Sequence, residues 1–329
     1  MSSLLQLTPR GLYCQRGDFY IDPKRNVPRA IITHAHADHA RRGCGAYLTS
    51  EDGQALVRFR LKTQSPVDSL PYGETLNFEG VEVSFHPSGH MLGAVQVRLK
   101  YQGETWVVTS DCKLQADPTC RPFEAVPCDV LITECTFGDP VYDWPEPAEV
   151  FQAINTWWRT NQKSGKTSVL YGYSAGKTQR ILASLAPGQG PFVVHRTIQQ
   201  TNRVYRESGV KLPQTWSIGQ MPPRFKWSKA LVCVPPKVKD LSWRKGLGPL
   251  SIAVASGWMQ NQASSPYPEV EQGFVLSDHF DWKDFKAMIA ACSPKRILLT
   301  HGDTKQAIQH LNAEGIEAEC LEEAFQRKA

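Results

Sequence analysis

Four potential metal ligands fall within six residues near the start of the chain. They are three imidazoles and one carboxylate, in the order H-x-H-x-D-H: His34, His36, Asp38 and His39. The whole chain has only nine His, so this density is far above chance. Imidazole and carboxylate together suit Zn²⁺, and also Mn²⁺ or Fe²⁺. The cluster therefore predicts a metal centre rather than a polar loop that happens to be rich in His.

The spacing within this cluster divides it between two ions. In an extended segment, side chains two residues apart point the same way, so His34 and His36 can bind one ion. Asp38 and His39 lie where the loop is expected to turn into a helix, and from there they can reach a second ion. We therefore predict a centre with two divalent ions, Zn²⁺ or Mn²⁺.

Further candidate ligands follow predicted strands elsewhere in the chain. Residues 74–85 alternate as one strand that leads to His90, and apolar runs precede Asp111 and His301. Each alone would be an ordinary loop residue, and it is their repetition at strand ends that predicts a site. The predicted ligand sets are His34, His36, His90 and Asp111 for the first ion, and Asp38, His39, Asp111 and His301 for the second.

Such a pair of ions implies a hydrolytic reaction. Two ions bridged by a carboxylate can hold a hydroxide that attacks a phosphorus or a carbonyl carbon. The leaving group then needs an acid, and Glu134 paired with His279 would supply it, because the carboxylate would keep the imidazole protonated and aimed. The predicted catalytic residues are therefore Asp38, Glu134 and His279. Asp22, before Pro23, is either a turn-forming residue or the group that orients a metal-bound His.

The elements that must position these residues divide the chain into three stretches. Residues 1–145 are predicted to be mainly strands that end in candidate ligands. After a Pro-rich segment, residues 146–270 alternate strand and helix, which predicts a small α/β domain with a parallel sheet. Residues 271–329 return to strands that deliver His279 and His301. The chain is thus expected to leave its first domain, form an insert and come back.

One segment of the middle stretch is similar to a phosphate-binding P-loop. It runs from Gly172 to Thr178, but three residues separate its glycines where the P-loop has four. This spacing excludes a nucleoside triphosphatase. A helix that starts at Ser174 or Ala175 could still offer N–H groups to a phosphate of a polymeric substrate. Lys177 is the candidate phosphate-binding residue. Other basic side chains nearby either contact phosphates or form solvated helix faces: Arg180, Arg196, Arg203 and Arg206.

Composition limits the class of protein. The 329 residues are 41% hydrophobic and 21% charged, as in globular proteins, and no apolar run approaches the length of a membrane span. We see no secretory signal. Nine Cys with no Cys-x-x-Cys pair predict free thiols in a reducing compartment, hence a cytoplasmic location. The net charge of +5 permits a nucleic-acid partner without requiring one.

These motifs resemble, in order and over the whole chain, those of the metallo-β-lactamase fold. Further segments resemble the signatures of the β-CASP nucleases, a family that includes Artemis-type DNA nucleases and RNase J. The resembling segments are Leu131-Ile-Thr-Glu134-Cys-Thr-Phe-Gly, Ser277-Asp-His279, Thr300-His301-Gly302 and Ala255-Ser-Gly-Trp-Met. The resemblance implies an α/β fold, an αββα sandwich with an inserted small α/β β-CASP domain, and it favours the orienting role for Asp22.

The opening of the chain resembles the bacterial ligase-associated DNA exonucleases within this family. The segments concerned are Gly11-Leu-Tyr-Cys and Gly17-Asp-Phe-Tyr-Ile-Asp22-Pro. This resemblance implies a DNA exonuclease in repair, with a DNA ligase and a helicase as partners. At His301 the chain instead resembles the RNA-cleaving members, so DNA is the expected substrate and an RNA-processing nuclease of the RNase J type is the alternative.

Two alternatives to a nuclease remain. A metallohydrolase of a small thioester or lactam shares the ligand set but has no use for a second domain or for a Glu134–His279 pair. A binding protein with a dead site is disfavoured, because no ligand position is lost. Several tryptophans could stack bases, but the sequence alone predicts no stacking site: Trp157, Trp158, Trp243 and Trp258.

Overall fold

The chain divides into two compact units. The computed structural model describes residues 3–236, 238, 240–261 and 269–326. One unit comprises Met1–Tyr142 with His279–Ala329, and the other comprises Asp143–Asp278. The predicted insert, residues 146–270, falls inside the bounds of the second unit. Across the described ranges, no helix combines the length and apolar character that crossing a membrane requires.

The first unit opens with a six-stranded sheet whose spatial order follows the chain. Its strands are β1 Gln6–Thr8, β2 Gly11–Cys14, β3 Phe19–Ile21, β4 Arg29–Ile31, β5 Ala46–Ser50 and β6 Val67–Leu70. The pairings up to β3 are antiparallel and the later ones are parallel. Helix α1, Glu51–Leu61, follows β5, and the Ser50 side chain caps it by accepting from the Gly53 N–H.

A second sheet begins with five consecutive strands. They are β7 Thr75–Phe78, β8 Val81–Pro87, β9 Val95–Tyr101, β10 Glu104–Val108 and β11 Val130–Cys135. The single strand predicted over 74–85 is wrong, because Glu79 and Gly80 form a two-residue hairpin turn with positive φ values of 52° and 89°. The sequence did not reveal this turn, because the apolar–polar alternation continues on both sides of it.

The second unit contains a six-stranded sheet in which every pairing is parallel. Its elements are α2 Pro147–Lys163, β12 Thr167–Tyr171, α3 Lys177–Ser184, β13 Phe192–Val194, α4 Arg196–Glu207, β14 Thr215–Ser217, β15 Leu231–Val234, β16 Leu250–Ala255 and β17 Gln272–Phe274. The strand order is β14-β13-β15-β12-β16-β17. A parallel sheet agrees with the strand–helix alternation of the sequence. Its identification as a β-CASP domain stays a prediction.

The chain then returns to the first unit. The returning elements are α5 Trp282–Cys292, β18 Arg296–Gly302, α6 Thr304–Ala313, β19 Glu319–Cys320 and α7 Leu321–Gln326. Strand β18 pairs in parallel with β11, which gives the second sheet the order β19-β18-β11-β10-β9-β8-β7. Residues 279–326 therefore complete a sheet that residues 75–135 began.

The core of the first unit lies between its two sheets. Ile21 and Ile31 of the first sheet pack in one cluster with Trp106 and Val108 of the second. Val107, which points to the opposite face, packs instead in a second cluster that includes residues of α5 and α6. This alternation makes β10 apolar on both faces, and it holds the strand ends that carry the candidate ligands in a rigid frame.

Candidate metal centre

Three imidazoles and a carboxylate from three separate loops converge in the first unit. His34 and His36 follow β4, His90 lies between β8 and β9, and Asp111 follows β10. The Nε2 atoms of His34 and His90 each lie 3.1 Å from Nδ1 of His36. Asp111 Oδ2 lies 3.4 Å from His34 Nε2 and 3.6 Å from His90 Nε2. The predicted ligand atoms of the first ion thus all lie within 4.8 Å of one another.

This geometry fits a tetrahedral metal ion. Metal–nitrogen bonds of about 2.0–2.1 Å place neighbouring ligand atoms of a tetrahedron about 3.3 Å apart. Four of the six separations between donor atoms run from 3.1 to 3.6 Å, and all six are within 4.8 Å. Burial, then the neighbouring imidazoles of His39 and His90, hold the pKa of His34 well below its usual value. His34 is therefore neutral and has a lone pair to offer an ion.

The predicted ligands of the second ion gather more loosely around His39. Its Nε2 lies 3.5 Å from Asp111 Oδ1 and 3.7 Å from Asp38 Oδ2. The rings of His39 and His301 have centroids 5.6 Å apart. Asp111 therefore turns one carboxylate oxygen towards each ligand set, which is the arrangement of a bridging ligand. The Asp38 side chain is 73% exposed, and His301 is also exposed.

The charges around His39 favour a cation at this place. Burial lowers the pKa of His39, but the carboxylates of Asp111 and Asp22 outweigh it and raise the pKa to about 10. Three carboxylates thus face one imidazole, and the cluster attracts positive charge. A divalent ion would supply that charge, but the donor atoms of the second set are spread more widely than those of the first. Charge, rather than close ligand geometry, is therefore what supports a metal at the second position.

Asp22 contacts His39 in the way that an orienting residue would. Its Oδ2 lies 2.7 Å from His39 Nδ1, which leaves His39 Nε2 on the side of Asp111. The Thr33 N–H donates to Asp22 Oδ1 at 2.9 Å, and the Thr33 hydroxyl donates to Oδ2 at 2.5 Å. Ser110 Oγ lies 2.7 Å from the same hydroxyl. Thr33 and Ser110 were missed from the sequence, although each directly precedes a candidate ligand.

The buried Glu134 and the half-buried His279 form a pair beside the first ligand set. His279 Nδ1 lies 2.7 and 2.8 Å from the two carboxylate oxygens of Glu134. The Cys112 N–H and the Thr136 hydroxyl also donate to this carboxylate. Burial raises the pKa of Glu134, but His279, Thr136 and the Cys112 N–H together lower it, so Glu134 is ionised. Ligand atoms of Asp111, Glu134 and His279 lie within 4.8 Å of one another.

One local prediction about the backbone of the site was wrong. The segment after His36 is one turn, closed by the Ala40 N–H to His36 O at 2.8 Å, and no helix follows it. Glu134 and His301 are the last residues but one of β11 and β18, so both lie at the carboxyl ends of their strands. The turn does not extend into a helix because two glycines follow shortly after it, and Gly43 takes a φ of 91°.

The loops that carry His90 and Asp111 touch through their backbones. Gly89 has a φ of 74°, and a Cβ on it would lie 2.0 Å from the Lys113 carbonyl oxygen. The buried Lys113 ammonium donates to Asp117 at 2.7 Å and to the His90 carbonyl at 3.3 Å. Lys113 thus helps to fix the two ligand loops relative to each other. Sequence reasoning missed it, because nothing in the pattern distinguishes a buried lysine from an exposed one.

The basic candidates of the second unit have different environments. Lys177 is the first residue of α3, which begins there and not at Ser174 or Ala175 as expected, because Gly176 at the N-cap has a φ of 87°. Lys177 is itself buried, and its ammonium lies 5.2 Å from the centroid of the exposed Tyr173 ring. Arg180 is fully buried and donates to the Ser277 carbonyl at 2.7 Å. Arg180 therefore stabilises the interior of the unit and is unsuited to contact phosphate.

The remaining arginines include two with neighbours on or near α4. Arg203 pairs with Glu207 at 2.7 Å on an exposed face, as in an ordinary solvated helix. Arg206 donates to the Pro213 carbonyl at 2.5 Å and to Thr215 at 3.0 Å. These contacts account for both side chains as local structure.

Comparisons with known proteins give distant relatives. A protein named Probable DNA ligase from Opitutus terrae is 29% identical over 316 residues, which are 95% of this chain and 30% of that protein. Endoribonuclease YSH1 from Eremothecium gossypii is 26% identical over 123 residues, 36% of this chain and 15% of that protein. An RNase J-like protein from Methanocaldococcus jannaschii is 25% identical over 185 residues, 47% of this chain and 42% of that protein.

The chain spans less than half of the length of each of these relatives. No family model matches it. Among solved structures, a protein of unknown function from Enterococcus faecalis V583 matches with a TM-score of 0.60 at 12% identity, over 88% of this chain and 78% of that one, which supports the fold alone. The nuclease names among the relatives support the resemblance to the β-CASP nucleases, whereas the likeness to the ligase-associated exonucleases stays a prediction.

Proposed function

We propose that this chain is a metal-dependent nuclease that hydrolyses phosphodiester bonds. The observation that carries the proposal is the position of Asp111, whose two oxygens face two ligand sets while the Glu134–His279 pair lies beside it. The relatives named as an endoribonuclease and as an RNase J-like protein support hydrolysis of nucleic acid.

Each group of residues has a separate task in this proposal. His34, His36, His90 and Asp111 bind one ion, and Asp38, His39, Asp111 and His301 bind the second. Two divalent ions, Zn²⁺ or Mn²⁺, would supply a nucleophilic hydroxide and neutralise charge on the phosphate when bound.

The pair formed by Glu134 and His279 acts on the leaving group. Glu134 holds Nδ1 of His279, so the ring is aimed and its Nε2 is the atom that would give a proton to the departing oxygen. The ionised Glu134 would balance the positive charge of the ring when the ring carries the proton. Asp22 keeps the His39 ring in place, since it accepts from the nitrogen on the other side of the ring.

We propose DNA as the substrate and exonucleolytic DNA repair as the role. The support is the relative named Probable DNA ligase, which matches 95% of this chain within 30% of its own length. A DNA ligase and a helicase are the partners that this role would require. Cleavage of RNA is the second candidate, favoured by the names of the ribonuclease relatives.

A cleavage assay distinguishes these functions. End-labelled single-stranded DNA and RNA of the same sequence are incubated with Mn²⁺, Zn²⁺ or chelator, beside an Asp111→Ala variant. Metal-dependent loss of DNA alone, abolished in the variant, is the expected result, and the product ladder gives the polarity. Degradation of RNA alone would indicate a function in RNA processing instead of DNA repair. If the protein binds metal but degrades neither DNA nor RNA, the nuclease proposal is contradicted. A thioester or lactam would then be the favoured substrate.

A further inference from the structure

The structure separates the four candidate tryptophans by burial. Trp158 is fully buried and Trp243 is buried, while Trp157 packs edge-on against Phe274. Trp258 instead is 41% exposed, and Tyr173 is 48% exposed. Of the aromatic side chains that the structure describes, Trp258 and Tyr173 are the two that are exposed. Exposed aromatic rings are the side chains on which unpaired bases stack in proteins that bind single-stranded nucleic acid.

Both residues lie beyond the carboxyl edge of the parallel sheet. Tyr173 lies two residues beyond Tyr171, the last residue of β12, and Trp258 lies three residues beyond Ala255, the last residue of β16. Strands β12 and β16 are hydrogen-bonded neighbours that run in the same direction. The carboxyl ends of such strands lie side by side, and ligands of α/β sheets bind outside these ends.

Hydrogen bonds fix the backbone that presents each ring. The Thr178 hydroxyl donates to the Tyr173 carbonyl at 2.5 Å, and the Gly172 N–H donates to the Val234 carbonyl at 3.1 Å. Trp258 lies in a short 3₁₀ turn, Gly257–Gln260, and its N–H donates to the Ser256 hydroxyl at 3.4 Å. Rings on ordered backbone lose little conformational entropy when a ligand binds.

The charge of this unit indicates a polyanion. Residues 143–278 contain 16 Lys and Arg against 8 Asp and Glu, a net charge of +8. The other unit, with 21 Lys and Arg against 24 Asp and Glu, has a net charge of −3. The ammonium of the buried Lys177 lies 5.2 Å from the Tyr173 ring centroid, so one positive charge lies beside one exposed ring.

We propose that Tyr173 and Trp258 form a stacking platform for the unpaired bases of single-stranded nucleic acid. This proposal rests on the proposed nuclease function and specifies the strandedness of its substrate. Stacking on aromatic rings accepts every base, and basic residues beside the rings hold the phosphates, which is how single strands are bound without sequence preference. A duplex has its bases already stacked and gains nothing from the two rings.

The test is direct binding in chelator, so that no cleavage occurs. Fluorescence anisotropy measures the affinity of a labelled single-stranded oligonucleotide, and of the same sequence as a duplex, for the full chain. We expect Tyr173→Ala and Trp258→Ala each to weaken single-strand binding by about 5- to 100-fold and to leave duplex binding nearly unchanged. Tyr173→Phe and Trp258→Phe, which keep a ring, should recover most of the affinity.

A matched control comes from the other unit. Leu76 is also an exposed large apolar residue, but it lies on β7, so Leu76→Ala should bind like the wild type. Metal content and melting temperature report whether each variant is folded. Single-strand binding by both alanine variants that equals the wild type would overturn the platform. Equal losses for single strand and duplex would also overturn it, because stacking does not predict them.

The binding test of the ring variants and the cleavage assay can fail independently of each other. Cleavage by the wild type together with unchanged binding by the ring variants contradicts the platform and leaves the nuclease intact. Weakened binding by the ring variants, in a protein that cleaves neither DNA nor RNA, supports the platform and contradicts the nuclease.

Discussion

The two units of this chain differ in what they bury and what they expose. The first unit gathers imidazoles and carboxylates in a largely buried cluster and has a net charge of −3. The second unit has a net charge of +8 and exposes two aromatic rings at the carboxyl edge of a parallel sheet. The difference indicates a division of labour, in which one unit supplies bond cleavage and the other supplies affinity for a polyanion.

Two kinds of measurement, one of catalysis and one of binding, test this division of labour between the units. Changes in the first unit should alter metal content or turnover and leave binding in chelator unchanged. Changes in the second unit should alter affinity and its salt dependence and leave metal content unchanged. The predictions below run from the largest expected effect to the smallest.

Replacement of the shared ligand should have the largest effect. Asp111→Ala removes both carboxylate oxygens, each of which faces a different ligand set, so we expect both ions to be lost and cleavage to fall to background. Metal content by mass spectrometry and the cleavage rate measure the two effects. Asp68→Ala, an exposed carboxylate on β6, is the control and should change neither. Full metal occupancy in Asp111→Ala would contradict a bridging role.

Removal of the proposed proton donor should slow turnover without loss of metal. We expect His279→Ala to lower kcat by about 10²- to 10⁴-fold, because the leaving oxygen would depart without a proton. Metal content should match the wild type, since His279 is outside both predicted ligand sets. Glu134→Gln keeps the shape of the Glu134 side chain, so its kcat should lie between those of the wild type and His279→Ala. A loss of metal as large as that of Asp111→Ala would assign His279 to the metal ligands instead.

Weakening the support of His39 should have a moderate effect. Asp22→Asn keeps an acceptor for Thr33 but removes the charge that faces His39 Nδ1 at 2.7 Å. Metal affinity or activity should fall about 10- to 100-fold, the usual cost of losing such a partner. Titration with a fluorescent zinc competitor measures the affinity of the two sites separately. The first site should be unaffected, and equal weakening of both sites would mean that Asp22 acts on the fold at large.

The extent to which sequence predicted this centre follows from the kinds of residue involved. His34, His36, His90 and Asp111 were predicted together because imidazoles are rare and their spacing after apolar runs is distinctive. Thr33, Ser110 and Lys113 were missed, because hydroxyls and lysines are common on surfaces and only tertiary packing buries them. The parallel sheet of the second unit was likewise visible in the alternation of strand and helix patterns.

Local backbone geometry was the weaker part of the sequence prediction. The hairpin at Glu79 and Gly80 was missed, since the apolar alternation continues across a two-residue turn. The exposure of Trp258, in contrast to Trp158, could not be read from residue type. It depends on whether the ring lies in the helical layer over the sheet or beyond the end of a strand.

Neutralising one lysine should have the smallest effect and the most specific one. Lys177 is buried, and Lys177→Met fills similar space but removes the charge beside Tyr173. We therefore expect the slope of log K against log salt for a single strand to fall by about 0.7. Lys163→Met is a matched control, because exposed Lys163 ends α2 ahead of the amino end of β12, the opposite edge of the sheet. An equal change in both variants would mean that net charge, and not a phosphate contact at Lys177, sets the affinity. An unchanged slope in Lys177→Met would remove Lys177 from the binding surface.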